Sequence, residues 1–330
     1  MESFWQQNTH PFFILAPMED VTDTVFREVV MSVSNPEVLN VLFTEFTSTD
    51  GLMDERGFEK VSARLKINTS ELKTIKERGT KLVAQIWGNE PNNFFRTAKL
   101  LTEWGNFDGI DINMGCPVKK VVKKGTCSAL IKTPDLAAEI IQATKEGTSL
   151  PVSVKTRIGF NTVVTEGWLG HLLQQDIAAL IVHGRTQKMQ SEGLADWSEI
   201  GKAVSLKKNF SKTTAIIGNG DVESYAQGMQ HIQTHSLDGV MVGRGIFKNP
   251  WMFNKEEVIP TIDQRLMLLH KHLNLFTDTW GKAKNFNILK RFFKIYINSF
   301  KGAGAVRAEL MESKNADEAH KVLEGAKILI

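Results

Sequence analysis

Along roughly the first 250 residues, short apolar runs alternate with amphipathic stretches. Eight runs, at 12–15, 38–43, 82–86, 109–112, 152–155, 179–182, 215–217 and 239–242, have the length and apolar content of buried strands. The stretches 20–33, 91–104, 134–146, 163–175, 197–206 and 224–234 carry apolar residues at the helical period. In Asp135-Leu136-Ala137-Ala138-Glu139-Ile140-Ile141 that period is clear, and Thr133-Pro134 supplies a cap and a first helical position. Eight strands alternating with helices predict a (β/α)₈ TIM barrel. A doubly wound open sheet is the competing architecture, but Ala16-Pro17-Met18-Glu19-Asp20 follows the first strand where a Gly-x-Gly-x-x-Gly turn would stand.

After Asn249-Pro250-Trp251 the pattern turns helical throughout, with helices expected over 264–278 and 287–300. Phe292, Phe293, Tyr296 and Phe300 recur at helical spacing and are expected to pack a small core, with Gly302-Ala303-Gly304-Ala305 as a turn. The division expected is a barrel over 1–255 and a small all-helical C-terminal domain over 256–330.

Composition changes this picture little: 42% hydrophobic and 23% charged residues suit a globular chain of 330 residues. No run approaches 18 apolar residues, and the N-terminus lacks a basic segment followed by an apolar one, so neither a membrane span nor a signal peptide is expected. Two cysteines cannot staple so long a chain, and the expected location is the cytoplasm. Charge adds more. Residues 261–330 hold 12 Lys+Arg against 7 Asp+Glu, so the tail is basic and the rest slightly acidic. The stretch 279–301 carries Lys282, Lys284, Lys290, Arg291, Lys294 and Lys301 with no acid, which suits a polyanionic partner or a solvated helix face.

In such a barrel the chemistry sits where the strands end. Gly218-Asn219-Gly220-Asp221 and Gly243-Arg244-Gly245 follow strands seven and eight, where barrels often bind phosphate; Arg244 adds a charged fork. Lys155 interrupts an apolar strand and needs an anion, either a structural carboxylate or the anionic edge of a reduced flavin. His183 is a donor to such a ring, or a satisfied core histidine. Cys116, between glycine and proline, is a nucleophile, a metal ligand or a general acid. Its eleven-residue separation from Cys127 and the lack of paired His-Cys spacings disfavour metal. Lys119, Lys120, Lys123 and Lys124 follow it, suited to polymeric phosphate or to solvent.

Taken together, these strings resemble the tRNA-dihydrouridine synthase family in its bacterial, FMN-dependent form. The matching segments are Ala16-Pro17-Met18-Glu19-Asp20-Val21-Thr22-Asp23, Thr44-Glu45-Phe46, Asn113-Met114-Gly115-Cys116-Pro117-Val118-Lys119-Lys120-Val121, Val154-Lys155-Thr156-Arg157, Val182-His183-Gly184-Arg185-Thr186, Asn219-Gly220-Asp221 and Gly243-Arg244-Gly245. The resemblance implies reduction of the C5–C6 double bond of a uridine in the D-loop of tRNA, with FMN reloaded by NADPH. It implies that Ala16, Pro17 and Met18 lie against the flavin, that Gln85, Lys155 and His183 bind its ring, and that Asn219, Gly220, Asp221, Gly243 and Arg244 hold its phosphate. Asn113 would face the uracil, Cys116 would protonate it, and Lys119, Lys120, Arg157, Arg185, Lys290 and Arg291 would touch the tRNA. An ordinary thiol, with a pKa near 8.5, is protonated at neutral pH and suits a proton donor. Cys127 reads as a buried small residue. Two rivals differ in class: an FMN barrel of the dihydroorotate or dihydropyrimidine dehydrogenase kind acting on a free base, and a non-catalytic RNA-binding protein. The basic tail argues against the first, and the intact Cys116, Lys155 and His183 against the second.

Overall fold

The computed structural model describes residues 3–6, 10–210 and 213–327. Eight parallel strands form the barrel: β1 (Phe12–Leu15), β2 (Leu39–Phe43), β3 (Lys81–Trp87), β4 (Gly109–Met114), β5 (Val152–Arg157), β6 (Ala179–His183), β7 (Ala215–Asn219) and β8 (Gly239–Val242). Each pairs in parallel with its neighbour in sequence, β1 pairs with β8, and the pairing of Val41–Phe43 with Lys81–Val83 closes the ring between β2 and β3. The architecture is a TIM barrel, as the strand and helix rhythm predicts. A two-residue strand, Thr47–Ser48, adds itself to the far end of β3.

Alternation along the strands sorts side chains between two cores. Phe12, Ile14, Val41, Phe43, Val83, Ile181, Ile217 and Met241 form a buried cluster inside the barrel, closed at its N-terminal end by Trp5. The other row, including Phe13, Leu15, Leu42, Ile110, Val154 and Val240, packs under the surrounding helices. Several helices match their predicted spans, among them Pro91–Trp104 and Pro134–Glu146. The first helix is shorter than 20–33 suggests: Thr24–Met31, started by Asp23, whose side chain accepts from the Phe26 N–H. Thr133 stands before Pro134 as expected, but its side chain makes no capping bond.

A helix at Thr69–Arg78 was not predicted. Its charged residues hide the apolar stripe, because Glu71 points inward and pairs with the equally buried Arg27 at 2.6 Å. In the tail, Ile262–Trp280 is one long helix with a complete capping box from Thr261 and Gln264. Two tail expectations fail. The helix expected over 287–300 is a 3₁₀ stretch, Phe286–Phe292, followed by a single helical turn, Phe293–Tyr296. Phe292, Phe293 and Tyr296 are buried and Phe300 is half-buried, yet they bind the segment to other elements: Phe292 lies 5.0 Å from Phe26 of the first barrel helix. Gly302-Ala303-Gly304-Ala305 opens the helix Ala303–Glu312, with Gly302 in the left-handed region (φ 87°) just before it. The tail's apolar residues join the barrel's outer core in one continuous cluster.

Candidate active site

The inward rows that are apolar at the base of the barrel turn polar at its C-terminal mouth. Gln85 follows Val83, His183 follows Ile181, and Asn219 follows Ile217; β4 contributes Asp111 and Asn113, and β5 contributes Ser153, Lys155 and Arg157. Each pair is two residues apart, so the pleat aims them into the same space. The mouth is a cavity of about 450 Å³, within the roughly 300–1,000 Å³ usual for small-molecule sites. Ala16, Pro17, Met18, Lys155, Arg157, His183, Arg185, Asn219, Gly220, Asp221, Gly243 and Arg244 line it. Twelve predicted site residues from five strand ends therefore share one cavity.

Its electrostatics are cationic. Lys155 Nζ donates to Asn219 Oδ1 at 3.0 Å, and the Asn219 amide donates to the Met241 carbonyl at 2.8 Å. Among the described residues that neutral amide is the one hydrogen-bond partner of the Lys155 ammonium. Burial first, and the neighbouring Arg157 second, bring its pKa down from 10.5 to about 8. His183 is held neutral, first by burial and then by the surrounding Arg157, Lys155, Arg185 and Arg244. Arg185 Nη1 lies 3.0 Å from His183 Nε2. A guanidinium only donates, so Nε2 accepts and the imidazole proton is on Nδ1.

The turns after β7 and β8 both line the cavity, the first packed closely at its glycine and the second with room beside it. Gly220 has φ 132°, and a Cβ there would sit 2.5 Å from Ala195 Cβ. At Gly243 the nearest atom to an added Cβ is Ala16 Cβ, 3.9 Å away. The Asp221 carboxylate is engaged: Arg185 grips both its oxygens at 2.7 and 2.6 Å, and Ala195 N–H donates to it at 2.8 Å. Arg185 is buried, and its remaining donors go to the Glu192 and Gly193 carbonyls. The pair thus braces the two loops, and Arg244, at 3.6 Å from Asp221, is an exposed cation at that end, as is Lys248.

Gln85 and Asn113 lie just below the cavity in a continuous hydrogen-bonded chain. Ser153 Oγ and Gln85 Nε2 donate to the two Asp111 oxygens at 2.6 and 2.7 Å, and Asn113 Nδ2 donates to Gln85 Oε1 at 2.9 Å. Asn113 Oδ1 then accepts from the N–H groups of Gly115 and Cys116 at 3.0 and 2.9 Å, fixing the loop that carries the thiol. Burial raises Asp111 to about 6 against those two donors. Sequence reasoning passed over Asp111, although a lone acid inside Gly109-Ile110-Asp111-Ile112 is the same signal that singled out Lys155.

Cys116 is part-exposed, and Arg157 Nε donates to the preceding Gly115 carbonyl at 2.6 Å. The expectation of an ordinary thiol is not met. A hydrogen bond from Cys127 pulls the Cys116 pKa down, and the Cys127 thiol is pushed up by its own burial and by Cys116. Lys119 and Lys120 stand exposed on the short helix Lys119–Val122 and take no part in that shift. Cys127 is buried as expected, but it is a partner to the first thiol as well as filler.

The basic tail stretch is divided. Lys284 Nζ lies 3.0 Å from Asp23, 3.6 Å from Glu45 and over the Trp280 ring, while Trp280 Nε1 donates to Asp23 at 2.8 Å. Arg291 rests on the Asp20 carbonyl and carboxylate at 3.2 and 3.8 Å, and Lys290 donates to the Met311 carbonyl. Lys282, Lys294 and Lys301 are exposed. Tail and barrel are thus latched at the loop after β1, beside the mouth. Glu45 at the end of β2 is buried there, and burial raises it to about 7 although Lys284 works against the rise. Among the described residues no group of three or more His, Cys, Asp or Glu could hold a metal ion, and no helix is long and apolar enough to cross a membrane.

Fold and site define a (β/α)₈ barrel with a cation-lined mouth and a thiol at its edge. The model of the dihydrouridine synthase (Dus) family matches residues 14–329, and the chain belongs to that family. It is 44% identical over 325 residues to a probable tRNA-dihydrouridine synthase of Staphylococcus aureus (strain MRSA252), covering 98% of this chain and 95% of that protein. It is 42% identical to probable tRNA-dihydrouridine synthase 2 of Bacillus subtilis (strain 168), covering 98% and 96%. Among solved structures, 2-naphthoyl-CoA reductase has a TM-score of 0.53 at 9% identity, over 73% of this chain and 49% of that one. The 6-hydroxypseudooxynicotine amine oxidase of Pseudomonas geniculata N1 has a TM-score of 0.50 at 11% identity, over 73% and 46%. At such identities these two speak for the barrel alone.

Proposed function

We propose that the protein reduces the C5–C6 double bond of a uridine in the D-loop of tRNA, with FMN as resident cofactor, NADPH as reductant and Cys116 as proton donor to C5. The observation that carries this reading is Lys155, a cation in the mouth of the barrel with a neutral amide as its hydrogen-bond partner, one strand over from the loop that presents Cys116. A half-buried cation hydrogen-bonded to a neutral amide, with the Asp111 carboxylate that acts on it already held by Ser153 and Gln85, suits an anionic ring edge, and the glycine turn at Gly243 suits a phosphate, so the residues present fit the group.

Bound there, FMN supplies the hydride for C6 of the uracil. Lys155 stabilises negative charge at the ring it faces. Neutral His183 offers Nδ1–H as a donor, a role that protonation would not improve in a mouth already rich in cations. Arg185 and Asp221 hold the phosphate-side loops, leaving Arg244 and the backbone N–H groups to meet the phosphate. Asn113, oriented by Gln85 and Asp111, fixes the Cys116 loop so that the thiol proton reaches C5 as charge develops there.

The target base must leave its stack to reach the mouth, which calls for a grip on the tRNA outside the barrel. Residues 256–330 are the RNA-gripping domain in this reading, through Lys282, Lys294 and Lys301 together with Lys290 and Arg291. Lys119 and Lys120 extend the basic surface beside the thiol. The reaction takes place in the cytoplasm, where the tRNA is. The test is oxidation of NADPH by the purified yellow protein on unmodified tRNA, with dihydrouridine mapped in the product. Cys116→Ala is expected to abolish tRNA reduction while flavin stays bound and reducible. Full turnover by that variant would remove the proton-donor role.

A further inference from the structure

The two cysteines bracket the loop segment that follows β4 at the C-terminal end of the barrel. Cys116 follows β4 and is part-exposed; Cys127 opens the 3₁₀ segment Cys127–Lys132 and is fully buried. The chain between them folds back on itself: Ser128 donates to the Cys116 carbonyl through both its N–H, at 3.4 Å, and its hydroxyl, at 2.8 Å. Thr126 Oγ1 pins the same turn to the Val121 carbonyl at 2.9 Å. Cys127 has φ 54°, in the left-handed region that costs an L residue roughly 1–2 kcal/mol and a glycine almost nothing. A thiol is kept there against that preference, and each of the two thiols shifts the other's pKa.

We propose that Cys116 and Cys127 form a reversible disulfide when a hydroperoxide oxidises the protein, which makes this turn a site of redox modification. Cys116 is the sulfur oxidised first, being the part-exposed one. Arg157 and the bond from Cys127 favour its thiolate, while Cys127 keeps its proton. The Cys116 sulfur attacks one peroxide oxygen: an S–O bond forms, the O–O bond breaks, and the other oxygen leaves with a proton as alcohol or water. Sulfur is oxidised by two electrons and the peroxide reduced by two, leaving a sulfenic acid. The Cys127 sulfur then attacks the Cys116 sulfur: S–S forms, S–O breaks, and hydroxide departs with the Cys127 proton as water. A dithiol reverses the change by exchange. Trapping by Cys127 keeps Cys116 from the irreversible sulfinic state.

That the disulfide also stops uridine reduction rests on Cys116 as proton donor; its formation does not. The full-length protein is treated with hydrogen peroxide, alkylated under denaturing conditions and weighed by mass spectrometry. The expected product has lost two hydrogens, has no alkylatable thiol, yields a 116–127 cross-linked peptide and returns to two thiols with dithiothreitol. Cys127→Gly, which suits the backbone at that position, is expected to add oxygen at Cys116 irreversibly and form no cross-link. Oxygen addition to wild-type Cys116 with Cys127 still alkylatable would overturn the proposal. If the cross-link forms and tRNA reduction persists, the disulfide stands and the proton-donor reading fails.

Discussion

Replacing Lys155 with methionine separates what this residue does for stability from what it does for ligand binding. In the protein without a ligand, burial and Arg157 bring its pKa from 10.5 to about 8. At 1.36 kcal/mol per pKa unit, keeping the cation charged at pH 7 costs the fold on the order of 3 kcal/mol. The side chain is half-buried and reaches the cavity, so water screens part of this, and the bond to Asn219 returns about 1 kcal/mol. Lys155→Met is therefore expected to stabilise the flavin-free protein by roughly 1–2 kcal/mol, a rise of a few degrees in Tm at this size. The sign follows from the direction of the shift. A lysine whose folded pKa is depressed contributes its stability above the unfolded pKa and loses it as pH falls through about 8. The gain from the methionine should therefore be present at pH 7 and shrink toward pH 10. FMN affinity should fall by at least tenfold, because the cation proposed to meet the ring is gone. Thermal unfolding of the stripped protein and flavin fluorescence titration measure the two halves. A variant that is less stable when stripped yet binds FMN as wild type would show that Lys155 is a structural residue and refute the reasoning.

Other expectations follow from particular contacts. Gly220→Ala places a Cβ 2.5 Å from Ala195 Cβ at φ 132°, and should cost roughly 1–3 kcal/mol in thermal stability and reduce the flavin retained on purification. Glu45 has its pKa raised from 4.5 to about 7, so its contribution is favourable below pH 4.5 and is lost as pH rises through 7. Glu45→Gln should accordingly flatten the fall in stability between pH 5 and 8 and raise stability at pH 8 by an amount on the order of 2 kcal/mol, read as a higher Tm; an unchanged pH profile would show that Glu45 titrates normally. Lys290→Ala/Arg291→Ala should weaken tRNA binding and lower the slope of log affinity against log salt by up to about 2, with flavin content preserved. An unchanged slope would assign both side chains to their intramolecular acceptors alone.

The barrel was legible in the sequence because its signals are local. Apolar runs of strand length separated by helical periods need no knowledge of what packs on what, and the helices at Pro91–Trp104 and Pro134–Glu146 fall where the periodicity puts them. Lys155 and His183 were legible for the same reason, as polar residues interrupting apolar strands. Where a charged pair is buried, as with Arg27 and Glu71, the polar pattern points outward while the structure turns inward, and the helix Thr69–Arg78 disappears from view. The tail segment around Phe292 has the spacing of a long helix, but its rings pack on the first barrel helix and hold the chain in a 3₁₀ form.

The partnerships within the site were set by tertiary structure. Arg185 and Asp221 look in the sequence like two ligand contacts; in the fold each is the other's partner, because β6 and β7 are neighbours and their loops must be braced. Lys284 and Arg291 look like free cations until the tail docks at Asp20, Asp23 and Glu45. Cys127, eleven residues from Cys116, becomes the neighbour of its thiol by a left-handed turn that spacing does not encode. By itself the sequence determined which residues line the strand ends and the alternation that closes them into a barrel, since both depend on residue order along short segments. Which charges remain available for a ligand, and which thiol faces which, depended on distances between segments far apart in the chain, and those exist only once the barrel has closed.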